Sequence, residues 1–195
     1  MKKKILDQNL EKFIFKKNKI NLFKSLVLEI GFGMGHNLLS IAKKNPNIMH
    51  VGVDPFINGI VNLVNNCLKY KIVNILIYPK PIEVFLKKFK NILWNKVFIL
   101  FPDPWPKKKH NKRRLFQLVF ILKLLKNIKK GGKIFFATDN KNYYEQVNSE
   151  LKNLIANKLP ISLIKKDPKY LVKTKYFKRS QKLGNIVHFL VIVKN

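Results

Sequence analysis

The sequence predicts an α/β fold, a doubly wound and mostly parallel sheet of about seven strands that closes with a C-terminal antiparallel strand pair. Three observations predict it. Short runs rich in β-branched and aromatic residues alternate with longer segments of helical period. The runs are apolar almost throughout, as strands covered on both faces are. A glycine-rich turn, Gly31-Phe-Gly33-Met-Gly35, follows the first run.

Taken in order, the first strand is expected over 25–30, followed by the turn and a helix from about 37 to 44. A strand over 50–53 is closed by Asp54-Pro55, and a helix over 58–69 follows. Strand 73–78, helix 82–89 and strand 96–101 repeat the unit. A helix over 114–127 is expected to stop at Gly131-Gly132, where the chain can leave the helical region. Strand 133–137, helix 141–157, and strands 161–164 and 186–193 complete the chain, the last two separated by a basic polar stretch over 165–182. Residues 1–24, rich in Lys and Phe, read as a basic N-terminal arm or a short helix, leaving 25–195 as a single domain. The helical spacing of Phe and Leu through 116–125 marks core, and Tyr143 and Tyr144 read as packing residues.

A length of 195 residues suits one domain with a sizeable core. The net charge of +30 favours a polyanionic partner, because each base set against a phosphate releases a counterion. Of the 40 bases 37 are Lys, and Asn, Ile and Phe are also abundant, so drift towards A/T-rich codons accounts for part of that charge. Cys67 is the single cysteine, which excludes an internal disulfide and a cysteine-based metal cluster; its place in a helical stretch marks a small buried apolar residue. His36, His50, His110 and His188 are too scattered for a metal site, and none is expected. No signal-peptide core follows Met1, and no apolar run approaches the roughly 20 residues that span a bilayer, so a cytoplasmic protein with no membrane partner is expected.

The turn Glu29-Ile-Gly31-Phe-Gly33-Met-Gly35 departs from the dinucleotide fingerprint, with His36 where a third spaced glycine belongs. A tight turn without pyrophosphate spacing suits a ligand that lacks phosphate. Glu29 repels pyrophosphate but pairs well with an ammonium group, and Asp54, closing the second strand, can accept from ribose hydroxyls. An amine acceptor, a ribose acceptor and no phosphate cradle together specify S-adenosylmethionine.

Phe101-Pro102-Asp103-Pro104-Trp105-Pro106 follows the fourth strand, at the edge where open α/β sheets bind ligands. Three prolines fix three φ angles and hold Asp103 and Trp105 stiffly. A pre-ordered carboxylate beside an aromatic plate suits guanine, which offers N1–H and N2–H side by side. The six bases from Lys107 to Arg114, including Arg113, supply phosphate contacts. Asp139, after the fifth strand, either holds the base or a ribose hydroxyl or caps the helix that follows.

Leu28-Glu-Ile-Gly-Phe-Gly-Met-Gly35, Phe101-Pro-Asp-Pro-Trp105 with His110-Asn-Lys-Arg-Arg114, and Ala137-Thr-Asp139 closely resemble the bacterial tRNA (guanine-N7-)-methyltransferase family, over roughly residues 25–195. The resemblance implies a Rossmann-like class I methyltransferase that modifies N7 of the variable-loop guanine at tRNA position 46. It implies Glu29, Asp54 and Asp103 as cofactor contacts beside the glycines, with Asp103 also the catalytic acid. Lys107, Asp139 and Thr174 match substrate contacts. Two positions depart from the family pattern: Lys80, with Pro81 after it, stands where an adenine-contacting Asp belongs, and Phe177 stands at the acid of Thr-x-x-Glu. The alternative these departures leave open is an RNA-binding protein of the same fold with lost or altered activity. The partner is tRNA, with no obligate protein partner, and a monomer or weak homodimer is expected. Because N7 carries a lone pair and no proton, the reaction calls for Asp103 as orienter and charge stabiliser and not as proton acceptor.

Overall fold

The computed structural model describes residues 9–168 and 174–195. Strands β1 (Leu26–Ile30), β2 (Met49–Val53), β3 (Ile75–Tyr78), β4 (Trp94–Leu100), β5 (Ile128–Thr138), β6 (Ile161–Ile164) and β7 (His188–Lys194) form a seven-stranded sheet in the order β3-β2-β1-β4-β5-β7-β6. The pairs β1/β2, β2/β3 and β4/β5 are parallel, while β7 runs antiparallel to both β5 and β6. This is the mostly parallel sheet with a terminal antiparallel pair that the alternation predicts. The chain divides into two compact units, Met1–Ile92 and Leu93–Asn195.

The first unit holds β1–β3 with helices α1 (His36–Lys44), α2 (Ile57–Lys69) and α3 (Ile82–Lys88). Every residue of these three strands is buried, which is why the sequence runs apolar there without alternation. α2 lays Ile60, Leu63, Val64 and Cys67 inward at helical spacing, and burial pushes the Cys67 thiol up to about 12. Residues 13–20 add to this core: Phe13, Phe15 and Ile20 are buried, and the Phe15 N–H donates to the Ile77 carbonyl at 2.8 Å. The Phe15 ring meets the edges of Phe85 and Phe89 at 5.0 and 4.7 Å.

The second unit holds β4–β7 with α4 (Leu118–Lys126), α5 (Lys141–Ala156) and α6 (Lys175–Lys182), and a 3₁₀ turn at Lys108–Arg113. Three local expectations are corrected. The helix expected from residue 114 begins at Leu118, because Arg114 and Gln117 are extended, with ψ of 133° and 170°. It ends at Lys126, and Gly131-Gly132 lie inside β5, at a bulge where the register jumps from Trp94↔Ile128 to Lys96↔Lys133. The stretch over 165–182 contains α6, whose only buried residue is Ser180. Far along the chain, Lys194 Nζ donates to the carbonyls of Leu125 and Ile128 at 2.8 and 2.9 Å, satisfying backbone acceptors around the end of α4.

Candidate active site

In the first unit β1 gives way to α1 through Gly31, Gly33 and Gly35, with φ of 69°, 52° and 77°. A Cβ on Gly31 would meet nothing within 4 Å, so this left-handed turn faces open space. Behind the turn space is absent. A Cβ on Gly59 of α2 would collide with the Gly33 carbonyl, and Asn62 Nδ2 donates to the Met34 carbonyl at 2.8 Å.

Asp54, 8% exposed, ties the turn to the end of β2. Its Oδ2 accepts from the Gly33 N–H at 2.7 Å and its Oδ1 from the Phe56 N–H at 2.9 Å. The sequence suggests a ribose acceptor; the structure shows each oxygen already holding a backbone amide, with a second lone pair left on each.

Glu29, 3% exposed, lies beneath the same turn, and its Oε2 accepts from Asn37 Nδ2 at 2.9 Å. Burial pushes its carboxyl up to about 8; the Asn37 hydrogen bond opposes that rise and the nearby Asp54 carboxylate adds to it. Asn37 Oδ1 is buried without a hydrogen-bond partner. Two acceptors thus meet in one dry corner. Asn37 is the residue the sequence reading missed; a polar side chain on the inward face of α1, directly after the glycine turn, was the available signal. Lys80 is exposed just beyond β3, the next parallel strand.

In the second unit β4 ends in a strained loop. Phe101 and Trp105 take φ of 53° and 43°, which side chains rarely adopt, and they bracket Pro102-Asp103-Pro104. The Phe101 N–H donates to the Ala137 carbonyl at 2.8 Å, fixing one end of the loop. Asp103 stands exposed at its crest. Trp105 is half-buried, with the Arg113 guanidinium 5.0 Å above its ring and the His110 ring edge-on at 5.8 Å.

Arg114 is not the phosphate contact that the basic run suggests. It is 1% exposed, and its Nε donates to the Pro104 carbonyl at 2.8 Å. Nη1 donates to Gln146 Oε1 at 2.6 Å and Nη2 to Asn142 Oδ1 at 2.9 Å, with the guanidinium 4.7 Å over the Tyr143 ring. Arg114 therefore bolts the Asp103 loop to α5. Tyr143 packs beneath, fully buried, and its hydroxyl accepts from the Phe116 N–H at 2.8 Å. Lys107, Lys108, Lys109, Lys112 and Arg113 remain exposed along the 3₁₀ turn.

Asp139 follows β5, beside β4 in the sheet, so it and Asp103 leave the same edge of one parallel pair. Asn140, not Asp139, caps α5, accepting from the Tyr143 N–H at 2.8 Å. Thr174 caps α6, its Oγ1 accepting from the Phe177 N–H at 3.3 Å. Phe177 in turn lies edge-on to Phe101 at 6.4 Å, which brings the start of α6 beside the strained loop. Among the described residues no helix is long and apolar enough to cross a membrane.

Sheet order, glycine turn and edge acids define a methyltransferase of the Rossmann-like type. A family described as "Putative methyltransferase" matches residues 24–190. The crystal structure of the 16S rRNA methyltransferase KamB superposes with a TM-score of 0.66, covering 93% of this chain and 94% of that one at 13% identity, a likeness of fold. The tRNA (guanine-N(7)-)-methyltransferase of Wolbachia pipientis wMel is 34% identical over 195 residues, covering 96% of this chain and 86% of that protein. The bifunctional methyltransferase of Rickettsia prowazekii is 38% identical over 145 residues, covering 74% of this chain. The chain belongs to this methyltransferase family and, within it, to the tRNA (guanine-N7-)-methyltransferases. It spans 28 to 38% of the length of the bifunctional methyltransferases of Rickettsia prowazekii, R. felis, R. conorii and R. typhi.

Proposed function

We propose that this chain transfers a methyl group from S-adenosylmethionine to N7 of a guanine in tRNA, at position 46 of the variable loop. The observation that carries the reading is the match along 96% of the chain to the Wolbachia protein of that name. The site chemistry supports it. S-adenosylmethionine supplies an electrophilic methyl group on a sulfonium centre. The corner beneath the glycine turn fits its ammonium group, since Glu29 is a buried carboxyl and Asn37 Oδ1 is an orphaned acceptor. The spare lone pairs of Asp54 suit the ribose.

In the second unit Asp103 accepts from the Watson–Crick edge of guanine and so turns N7 outward as the nucleophile. Its charge also favours the positive charge that arrives on the purine. No proton leaves N7, so neither a general base nor a metal has a step to perform. Asp139 and Thr174 hold the nucleoside, and Lys107 and Arg113 meet phosphates. The protein works in the cytoplasm, as a monomer or weak homodimer.

A second reading, tRNA binding without turnover, is favoured only by Lys80 and Phe177. One experiment separates the two: incubate the protein with unmodified tRNA and labelled S-adenosylmethionine, then digest and identify the nucleoside. 7-Methylguanosine is expected. A different methylated nucleoside overturns the reading, and tRNA binding with no product selects the second one.

A further inference from the structure

A cleft of about 470 Å³ opens in the second unit, outside the strained loop. Its lining includes none of Asp103, Trp105, Lys107 or Asp139. Its walls are aromatic. Tyr144 and His188 stack at 4.7 Å and 23°, and Phe177 and Phe189 lie 6.3 Å apart. All four are half-buried, so each presents ring surface to the cleft. Gln181 and Asn185 bring exposed amides with both donors and acceptors. Among the described residues, the charges lining it, Lys165 and Asp167, are of opposite sign.

This lining suits a flat, neutral heterocycle with a polar edge and does not suit a phosphate. The surroundings suit RNA: α6, which contributes Phe177 and Gln181, carries exposed Lys175, Lys178, Arg179 and Lys182 around them. Its position also fits. His188 pairs in register with Thr138, one residue before Asp139, and Phe177 touches the Phe101 that begins the Asp103 loop. Resting on the function proposed above, we propose that this cleft holds a second, unmethylated nucleobase of the tRNA, unstacked from its neighbours and gripped between aromatic rings. That grip fixes the strand on one side of the target guanine.

Stacking and phosphate contact differ in their response to salt. Losing a phosphate contact lowers the slope of log affinity against log salt by about one, while losing a stack lowers affinity at every salt alike. Binding of an unmodified tRNA transcript to Tyr144→Leu and His188→Leu is expected to weaken about 10-fold, with the slope unchanged. Tyr144→Phe keeps the ring and binds as the wild type does. S-adenosylmethionine affinity stays unchanged throughout. To guard against misfolded variants, ultraviolet cross-linking of the unaltered protein to tRNA is mapped by peptide; adducts are expected within 185–189 or at Tyr144. Unchanged tRNA affinity in both Leu variants, or cross-links confined to other peptides, overturns the proposal. So does a loss that flattens the salt slope, which marks a phosphate surface, or a loss of methyl-donor affinity, which assigns the cleft to the cofactor. A wild-type protein that binds no tRNA fails the function itself, a result distinct from all of these.

Discussion

The two acids to which the proposed function gives the chemistry, Asp103 and Glu29, lie in opposite surroundings. Asp103 is exposed on a loop held by three prolines and by Arg114, which suits the electrostatic and positional part proposed for it. Asp103→Asn keeps the shape and one acceptor but loses the charge. Single-turnover methyl transfer is expected to fall about 10²–10³-fold, the scale of removing one preorganised electrostatic group. A near-normal rate would show that the charge is idle. Glu29 is the reverse case, a carboxyl whose ionisation burial opposes. Its value in the free protein, about 8, lies above the ordinary 4.5, so the fold is favoured below pH 4.5 and loses stability as pH rises through 8. An ammonium partner favours the carboxylate. Methyl-donor binding is therefore expected to release a proton at pH 7, and its affinity to rise with pH and level off above about 8. Calorimetry in buffers of different ionisation enthalpy reads that proton directly, and Glu29→Gln is expected to abolish both the release and the pH dependence. Binding without proton release at pH 7 would remove Glu29 from the ammonium.

At the scale of elements, the seven strands and where each ends were legible because a parallel sheet writes itself as apolar runs separated by helical period, whereas the order β3-β2-β1-β4-β5-β7-β6 was not. Glu29, Asp54, Asp103 and Asp139 could be located as strand-end acids for the same reason. What stayed hidden depends on contacts distant in sequence. Arg114 reads as one more base in a basic run; its partners Asn142 and Gln146 are 28 and 32 residues away, and nothing local marks it as buried. The glycine pair at 131–132 reads as a helix stop, yet serves a bulge opposite β4. α6 has almost no buried face, so it leaves no apolar stripe to find. Asn37 counts only because it meets Glu29. The Arg114 bolt yields its own prediction. Arg114→Ala removes a fully buried side chain, strands the Pro104 carbonyl and takes the donors from the Asn142 and Gln146 amide oxygens, and is expected to cost about 2–4 kcal/mol. For a chain of this size that lowers Tm by roughly 5–15 °C. Arg114→Lys supplies charge without the planar fork and recovers only part of it. A thermal melt of Arg114→Ala within a degree of the wild type would mean that the loop is held by its prolines alone.

At the scale of the whole molecule, a net charge of +30 poses a question of how much of it touches RNA. If every Lys served tRNA, affinity would collapse over a narrow range of salt. If the excess reflects composition, only bases placed beside the site contribute. The second case is favoured by placement: Lys107, Lys109 and Arg113 are exposed along one 3₁₀ turn next to Asp103, whereas lysines of the first unit, such as Lys69 and Lys71, are spread far along the chain from that loop. We expect log tRNA affinity against log salt to have a slope on the order of −5 to −10, equivalent to about six to ten phosphate contacts. Replacing Lys107, Lys109 and Arg113 together with Ala is expected to flatten that slope by about two to three units. Lys69 and Lys71 replaced together should leave it unchanged. Arg114→Ala is the internal control, because a buried guanidinium holds no condensed anion to exchange and should shift affinity without moving the slope. Equal flattening by the two lysine sets would show that the charge acts as a diffuse cloud. The 3₁₀ turn would then lose its standing as the phosphate-binding edge of the site.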